Sequence, residues 1–284
     1  MAIGYACLNI GTPNTNIRSV MQRNATAEKL TEVITHNLEA LEKMVDYNIA
    51  NGISLYRISS DLIPFGSSPV NMLPWWDIHA EDFQRIGTKI RRGSMRVSFH
   101  PGQYTVLNSP DEDVVARAIE DLIYHDKILT ALGTDATNKI VLHVGGIYGD
   151  KEAALDRFAE NFQRLPESVQ NRLIIENDDR LYNSEEVLEL TNRLQIPSVF
   201  DNLHHAINPP PSGGDDRYWI AAAAKTWKAR DGKQKIHYSQ QAPGKRPGAH
   251  TDTIQLDTFQ QFYNQLDDPT IDLMLEVKDK KLSA

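Results

Sequence analysis

The segment Asp201-Asn-Leu-His-His205 contains residue types that bind metal ions. An apolar run at 196–200 ends abruptly at Asp201, and two histidines follow before a proline-rich stretch. A carboxylate oxygen and an imidazole nitrogen a few residues apart are donors that divalent metal ions commonly take. The segment therefore predicts a ligand pair of Asp201 with His204, and His205 stays open as the alternative imidazole.

The same pattern, an apolar run followed by an acidic residue or a histidine, recurs along the chain. A single histidine after an apolar strand is more often a hydrogen-bonded core residue than a ligand. Several such positions at one place favour a metal site, because buried carboxylates need a cation or hydrogen-bond donors. A network of salt bridges is the competing explanation. Few Lys or Arg residues accompany these carboxylates in the sequence, however, and Lys235 and Lys278 are the exceptions. The candidate ligands are His100, His143, Glu176, Asp201, His204, His237, His250, Asp252 and Glu276.

The elements that must position these residues alternate between strands and helices. Apolar runs predict eight strands, at 3–9, 54–60, 96–100, 139–144, 172–178, 196–201, 234–239 and 271–277. Three- and four-residue apolar spacing predicts helices at 27–51, 113–132, 151–165, 184–194 (with Ser184 as N-cap), 217–229 and 256–266, and a further helix ending near residue 90.

Eight β/α units over residues 1–284 without a linker predict a single-domain α/β (β/α)8 TIM barrel. In such a barrel the C-terminal ends of all strands share one rim, so the candidate ligands converge there. His36, His79 and His125 fall outside these strand ends, and we expect them to be surface or packing residues.

Composition narrows the class of protein. The chain has 40% hydrophobic residues and no apolar run approaching the roughly 18 residues of a membrane span. Its start lacks a signal-peptide pattern and its one cysteine, Cys7, lies in an apolar stretch, which indicates a cytoplasmic protein with a buried thiol. No phosphate-binding loop, dinucleotide fingerprint or serine elbow occurs, so we expect no nucleotide cofactor.

Charge does not decide the binding partner. A net charge of −8 argues against a protein that coats nucleic acid. Two or three bound divalent ions would, however, offset about four to six of these charges locally. Lys245 and Arg246, on the loop that carries His250, are candidates for phosphate contact.

Aromatic and amide residues also fall on the predicted rim. Tyr5, Asn9, Gln103 and Tyr104 lie at or near strand ends. Tyr104 is either a loop aromatic that covers the barrel mouth or a side chain that wedges into a substrate, with Gln103 supplying hydrogen bonds.

Six motifs stand out along the chain: Arg57-Ile-Ser-Ser-Asp61-Leu-Ile-Pro-Phe65, Ser98-Phe-His-Pro-Gly-Gln-Tyr104, Leu142-His-Val-Gly-Gly146, Glu176-Asn-Asp-Asp179, Asp201-Asn-Leu-His-His205 and Lys235-Ile-His-Tyr-Ser239. They resemble motifs of the UV damage endonucleases, which are related to endonuclease IV and to sugar isomerases of the xylose isomerase type. The resemblance runs from Tyr5 to Glu276.

The resemblance implies a DNA repair enzyme that nicks damaged double-stranded DNA 5′ of a lesion, and we expect it to leave a 3′-hydroxyl and a 5′-phosphate. It implies two or three divalent ions, commonly Mn²⁺, with Mg²⁺, Zn²⁺ and Co²⁺ as alternatives, and we expect a monomer. The implied ligands are the nine candidates above. Among them, His143 matches a family histidine near the site that is the least certain direct ligand. The Asp-x-x-His spacing of the family selects His204 over His205.

The resemblance also implies roles for other residues. Glu176 would bridge metal ions, Lys235 matches a lysine that is carboxylated in a relative, and both count with His143 as catalytic candidates. Gln103 and Tyr104 match a lesion-probing pair, and Tyr5 and Asn9 match residues that face the damaged strand.

One departure from the family concerns the loop after the second strand. Relatives carry a histidine where this chain has Ser68, so we expect the metal site shared with His100 to be weaker. Three other functions remain open: an abasic-site endonuclease of the endonuclease IV type, a metal-dependent sugar isomerase, and a non-catalytic metal- or DNA-binding protein.

Overall fold

The computed structural model describes residues 1–284, and its strands are all parallel to their neighbours. Each strand is shorter than its predicted run, because only part of the run pairs on the sheet. The strands are β1 (Ile3–Ala6), β2 (Leu55–Arg57), β3 (Arg96–Ser98), β4 (Ile140–His143), β5 (Leu173–Glu176), β6 (Ser198–Val199), β7 (Lys235–Tyr238) and β8 (Asp272–Leu275).

Ten α-helices connect the strands. They are α1 (Ala27–Ala50), α2 (Trp75–Ile78), α3 (Ala80–Arg92), α4 (Glu112–Ala131), α5 (Lys151–Phe162), α6 (Glu167–Arg172), α7 (Ser184–Leu194), α8 (Asn202–Ile207), α9 (Asp216–Ala224) and α10 (Leu256–Tyr263). None of these helices combines the length and the apolar character that crossing a lipid bilayer requires.

Several local predictions differ from the structure. Asn183, not Ser184, caps α7, because its side chain accepts from the backbone of Glu186 while the Glu186 carboxylate accepts from the backbone of Asn183. Helices α9 and α10 end at Ala224 and Tyr263, before the predicted ends. Cys7 is half-buried, and it has a left-handed backbone with φ 68° where the chain leaves β1.

The eight strands form two sheets that close into one ring. The larger sheet has the order β3-β2-β1-β8-β7, and the smaller has the order β4-β5-β6. Single bridges, from Phe99 to Ile140 and from Asp201 to His237, join the sheets at both edges. The predicted (β/α)8 barrel is therefore confirmed, with two narrow seams in its wall.

Alternation along the strands separates an outer apolar layer from an interior that carries polar residues at its two ends. Outward residues such as Tyr56, Val97 and Ile175 pack with the helices into one cluster of 38 buried residues. The middle of the interior is apolar, where Val141, Ile174 and Val199 pack together. We call Val141, Ile174 and Val199 the apolar plug. Charged residues of the interior lie above and below it.

The lower layer, at the N-terminal ends of the strands, contains two pairs of opposite charges. Arg96 contacts Asp272 at 3.2 Å and lies over the ring of Trp227. The buried Lys139 ammonium donates to Asp231 at 2.6 Å. In each pair, the charge of one side chain is neutralised by a partner from the same chain.

Candidate metal centre

The upper layer, at the C-terminal ends of the strands, is built around the buried carboxylate of Glu176 at the end of β5. One of its oxygens, Oε1, lies 2.8 Å from His237 Nδ1. The other, Oε2, lies 3.0 Å from His100 Nε2 and 3.7 Å from His143 Nε2. Four strands thus deliver one carboxylate and three imidazoles to one point.

Three groups of side chains around Glu176 are close enough to hold a metal ion. In each group, one potential ligand atom per residue lies within 4.8 Å of the others. The groups are His100 with His143 and Glu176, Glu176 with Asp201 and His204, and Glu176 with His237 and Glu276. Glu176 is the member that all three share.

The pair of Asp201 and His204 is positioned by a short helix that the sequence analysis did not predict. Asp201 is the N-cap of α8, and its Oδ1 accepts from the backbone of His204 at 2.8 Å. The cap fixes one carboxylate oxygen and turns His204 toward Glu176, while His205 bonds Ser184 and Gly214 away from the cluster. The choice of His204 over His205 agrees with this geometry.

Hydrogen bonds fix two of the imidazoles in one tautomer. His100 Nδ1 donates to the carbonyl oxygen of Pro101 at 3.2 Å, and His204 Nδ1 donates to that of Asn177 at 2.9 Å. In the neutral ring the Nε2 atoms then carry the lone pair, which is the arrangement that metal-ligating histidines adopt.

Buried polar atoms without partners mark the same place. Asp201 Oδ2, His143 Nδ1 and His237 Nε2 are buried and make no hydrogen bond. Buried lone pairs and N–H groups are costly when they stay unpaired. With carboxylate and imidazole as the donor types, these residues fit divalent metal ions.

The electrostatics of the cluster separate its histidines. Burial lowers the pKa of His100 to about 4, although Glu176 opposes this shift. Burial also acts against charge on His204, but the carboxylates of Asp201, Glu176 and Glu276 outweigh it and raise the His204 pKa to about 9.

Two carboxylates of the cluster shift in opposite directions. Burial alone would raise the pKa of Glu176, but the imidazoles of His237, His143 and His100 hold it well below its ordinary value. Burial raises the pKa of Asp201 and neighbouring carboxylates add to the effect. A cation placed between these carboxylates would relieve their repulsion.

Sequence reasoning missed the role of Arg57. Its guanidinium donates to Glu276 Oε1 at 2.5 Å, across the interior from β2 to the end of β8. The attraction of Arg57 and His237 lowers the pKa of Glu276 against the effect of burial. Arg57 therefore holds Glu276 ionised and oriented, and the only sequence signal was a charged residue within an apolar strand.

His125, expected to be a surface or packing residue, is a buried packing residue that also lies beside Ser60. Its buried ring packs edge-on against Phe99, and Nδ1 donates to the carbonyl oxygen of Asp121 at 2.6 Å. Its Nε2 lies 3.0 Å from Ser60 Oγ, which lies 3.2 Å from the carbonyl oxygen of His100. Because Nδ1 carries the ring proton, Ser60 donates at one time either to His125 Nε2 or to the His100 carbonyl oxygen, and its hydroxyl lies packed between these two groups.

Two predicted ligands lie outside the three groups. His250 stands at the margin, with Nδ1 4.0 Å from Glu276 Oε2. Asp252 is turned to solvent, with its side chain 83% exposed and paired with Lys278 at 2.6 Å. The prediction assumed an extended loop, but the chain bends at Asp252, so the side chains at i and i+2 diverge.

The remaining predicted residues divide by exposure. Tyr5 is fully buried and donates to Asn48 on α1, because strand alternation points it outward into the helical layer. Its side chain is thus inaccessible to DNA in this structure. Asn9 is buried with both amide atoms unpaired, and Lys235 is buried below His237, where burial, Arg96 and Arg57 lower its pKa. The exposed residues are Gln103, Tyr104, Lys245 and Arg246.

Comparisons with known proteins agree with this architecture. The family model for UV-endonuclease UvdE matches residues 2–284. The UV DNA damage endonuclease of Clostridium perfringens is 41% identical over 289 residues, which span 100% of this chain and 69% of the relative.

Two solved structures have a similar fold. The crystal structure of SacUVDE superimposes with a TM-score of 0.94 at 37% identity, over 100% of this chain and 95% of that one. A family 2 AP endonuclease from Brucella melitensis shares the fold, with a TM-score of 0.54 at 12% identity over 98% of this chain and 93% of that one.

Proposed function

The chain belongs to the UV-endonuclease UvdE family, and from this membership we propose that it is a metal-dependent DNA endonuclease. Its substrate is double-stranded DNA with a UV photoproduct or another lesion, and it hydrolyses the phosphodiester 5′ to that lesion. The observation that carries the proposal is the set of three ligand groups that share the carboxylate of Glu176.

We propose that the three groups hold two or three divalent ions, with Mn²⁺ as the first candidate. Clustered divalent ions lower the pKa of bound water and neutralise charge on a phosphodiester. Glu176 would be shared by the sites, and His250 would join the group that contains Glu276, while Asp252 remains paired with Lys278. The group of His100 and His143 is the weakest, because position 68 is a serine.

The residues around the ligands keep the site in one geometry. Arg57 fixes Glu276, Asp201 is held by the start of α8, and Ser60 braces His100. His143 has the most exposed side chain of those that contact Glu176, at 32%, so it faces an incoming substrate. We assign to His143 the role of a metal ligand through Nε2, which lies 3.7 Å from Glu176 Oε2.

Selection of damaged DNA is assigned to the exposed pair Gln103 and Tyr104. Tyr104 is 68% exposed and its ring lies on Gly102, where an added Cβ would come within 2.5 Å of the ring. A poorly stacked lesion costs less to extrude than an intact base pair, and a side chain inserted into the gap compensates for lost stacking. Lys245 and Arg246 are exposed on the same rim and would contact the phosphate backbone.

Nicking of a UV-irradiated supercoiled plasmid tests the proposal. Chelated protein should leave the plasmid closed, and added Mn²⁺ should restore nicking of irradiated plasmid but not of intact plasmid. A His237→Ala protein should not nick either plasmid, because it loses a residue of the group that contains Glu276.

The outcome against the proposal is a plasmid that stays closed with every divalent ion, or equal nicking of irradiated and intact DNA. An abasic-site endonuclease would instead nick an abasic duplex in preference to a duplex with a thymine dimer, and both should therefore be compared. Turnover of sugars in place of DNA would indicate an isomerase on the same barrel.

A further inference from the structure

The strand that precedes Asp201 is too short to position it. β6 has two residues, and its last ladder pair with β5 joins Glu176 to Val199. Asp201 follows Val199 by two positions and is fully buried. Backbone N–H and C=O groups that are buried beyond the end of a strand need other hydrogen-bond partners. The residue that supplies those partners therefore helps to fix the place of the Asp201 carboxylate.

The side-chain amide of Asn177 supplies these partners. Its Oδ1 accepts from the backbone N–H of Asp201 at 2.9 Å, and its Nδ2 donates to the Asp201 carbonyl oxygen at 3.1 Å. That carbonyl oxygen also accepts from the backbone of His205. Because an amide has one acceptor end and one donor end, these two bonds fix which way round it lies. The pair of bonds takes the place of one more rung of the ladder between β5 and β6.

Asn177 also contacts the other members of one ligand group. It follows Glu176 directly in the chain, and its own carbonyl oxygen accepts from His204 Nδ1 at 2.9 Å. Glu176, Asp201 and His204 form one of the three groups that could hold a metal ion. Asn177 is 1% exposed, so water does not compete for its bonds. One buried residue therefore links the backbone of two candidate ligands and the imidazole of the third.

Asn202 makes the same two bonds on the other side of Asp201. Its Oδ1 accepts from the backbone N–H of Ser239 at 2.9 Å, and its Nδ2 donates to the Ser239 carbonyl oxygen at 3.1 Å. Ser239 lies directly after β7, two residues beyond His237. Asn202 thus ties the start of α8 to β7, whereas Asn177 ties it to β5. The segment that carries Asp201 is therefore held from both sides.

A buried asparagine that bridges two strands also occurs away from the candidate ligands. Asn138 lies just before β4, at the lower end of the barrel, and it is 7% exposed. Its Oδ1 accepts from the backbone N–H of Val97 on β3 at 2.8 Å. The loss of this amide should therefore have the structural cost of an unpaired buried backbone group without an effect on the ligands.

Resting on the proposed function, we propose that Asn177 is a positioning residue for the metal ion held by Glu176, Asp201 and His204. Its side-chain amide sets the backbone of Asp201 against that of Glu176. Its carbonyl oxygen holds the neutral His204 ring in the tautomer whose lone pair is on Nε2. Residues that orient metal ligands from behind change metal affinity by about 10- to 100-fold when they are removed. We expect this one ion to lose affinity while the ions of the other two groups keep theirs.

The test measures metal binding separately from nicking. Chelated samples of the unchanged protein, Asn177→Ala, Asn177→Leu and Asn138→Ala are titrated with Mn²⁺, and free Mn²⁺ is followed by electron paramagnetic resonance. The titration gives the number of bound ions per chain and their dissociation constants. Asn177→Leu fills the space of the amide without its hydrogen bonds, which separates the loss of the bonds from the opening of a cavity. Circular dichroism and urea titration of the metal-free proteins measure folding and stability.

In both Asn177 variants, one ion should bind about 10- to 100-fold more weakly, and the other ions should bind as in the unchanged protein. The Mn²⁺ concentration that gives half-maximal nicking of irradiated plasmid should rise by the same factor. Nicking at saturating Mn²⁺ should recover, because the ligands themselves are intact. Asn138→Ala should lower the urea midpoint and leave every Mn²⁺ affinity unchanged.

Two results would overturn the inference. One is unaltered Mn²⁺ affinities in both Asn177 variants, and the other is an equal loss of affinity for every ion. If the unchanged protein binds Mn²⁺ but does not nick irradiated plasmid, the proposed function fails and the affinities still decide the role of Asn177. If the unchanged protein binds no divalent ion, both proposals fail.

Discussion

The barrel interior holds two layers of buried charge that are organised in opposite ways. In the lower layer Arg96 pairs with Asp272, and Lys139 pairs with Asp231. In the upper layer the carboxylates of Glu176 and Asp201 face mainly imidazoles, and several buried atoms have no partner. In the lower layer, these charges therefore neutralise each other. In the upper layer, they leave a site whose unpaired atoms a ligand can bind.

The difference follows from the position of each layer along the strands. Charges below the apolar plug lie far from the loops that bind a substrate, so their partners must come from the chain itself. Charges above the plug lie at the C-terminal rim, where metal ions and phosphates can reach them. Changes in the upper layer should alter activity first, and changes in the lower layer should alter stability first.

The largest expected effect comes from Glu176→Gln in the upper layer. An amide cannot supply two anionic oxygens to the three ligand groups, so nicking of lesion DNA should fall by about three orders of magnitude or more. Bound metal per chain should fall with it, as measured by elemental analysis after dialysis. Glu189→Gln, on the exposed side of α7, is the matched control and should change neither quantity. Retention of full metal content in Glu176→Gln would show that the carboxylate is not shared.

Lys139→Met tests the lower layer. It leaves Asp231 as a buried carboxylate without its ammonium partner, and the free energy of unfolding should fall by about 3–5 kcal/mol in urea titrations. The fraction that remains folded should still bind Mn²⁺. Lys139→Met combined with Asp231→Leu should recover much of the loss, because no unpaired charge stays buried. If Lys139→Met did not change the free energy of unfolding, the proposed difference between a stabilising lower layer and a functional upper layer would be wrong.

Ser60→Ala tests support of the upper layer from outside the ligand set. Without the hydroxyl between His125 and the His100 carbonyl, the backbone that carries His100 is less constrained. Metal affinity should fall by about tenfold, the lower end of the effect of removing such supporting contacts. Titration of chelated protein with Mn²⁺, followed by electron paramagnetic resonance, measures it. Ser168→Ala, on α6 at the N-terminal side of the barrel, is the control, since its hydroxyl donates to Asp126 and not to the metal site. Equal affinities in Ser60→Ala and the unchanged protein would argue against the brace.

A further expected effect is a pH dependence of stability that His204 in the upper layer produces. The folded-state pKa of His204 is raised to about 9, above the ordinary value of about 6.5, so the folded chain binds this proton more tightly than the unfolded chain. The stabilisation is complete below about pH 6.5 and is lost as pH rises through about 9. In metal-free protein, the difference in unfolding free energy between the unchanged chain and His204→Asn should therefore shrink from pH 6 to pH 10. A difference that stays constant over this range contradicts the assignment.

The sequence was informative about the barrel because strands buried on both faces are continuous apolar runs. The same runs placed His100, His143, Glu176 and His237 at strand ends, and the rim of a barrel brings strand ends together. The eight-strand prediction is confirmed, and so is the family resemblance. The metal ions and the roles of individual residues remain predictions.

What the sequence did not reveal depends on long-range contacts and local turns. Arg57 and Glu276 are separated by 219 positions, so no local pattern pairs them. His125 lies on a helical pattern whose buried side becomes visible only once α4 packs against β3. Asp252 matched a ligand pattern, but a bend and Lys278 direct it to solvent. These contacts arise from packing, and composition or periodicity does not encode them.

The two seams in the barrel wall make the stability of the barrel depend on the candidate metal centre. One sheet supplies His237 and Glu276, and the other supplies His143 and Glu176. Ions held between these residues would act as cross-links between two sheets that share only single bridges, at Phe99 and at Asp201. Removal of metal should then be felt first as faster amide hydrogen exchange along those bridges, at Val141 and His237, whose backbone N–H groups donate across the seams. The ions proposed for this site would then also stabilise the closed barrel by linking its two sheets.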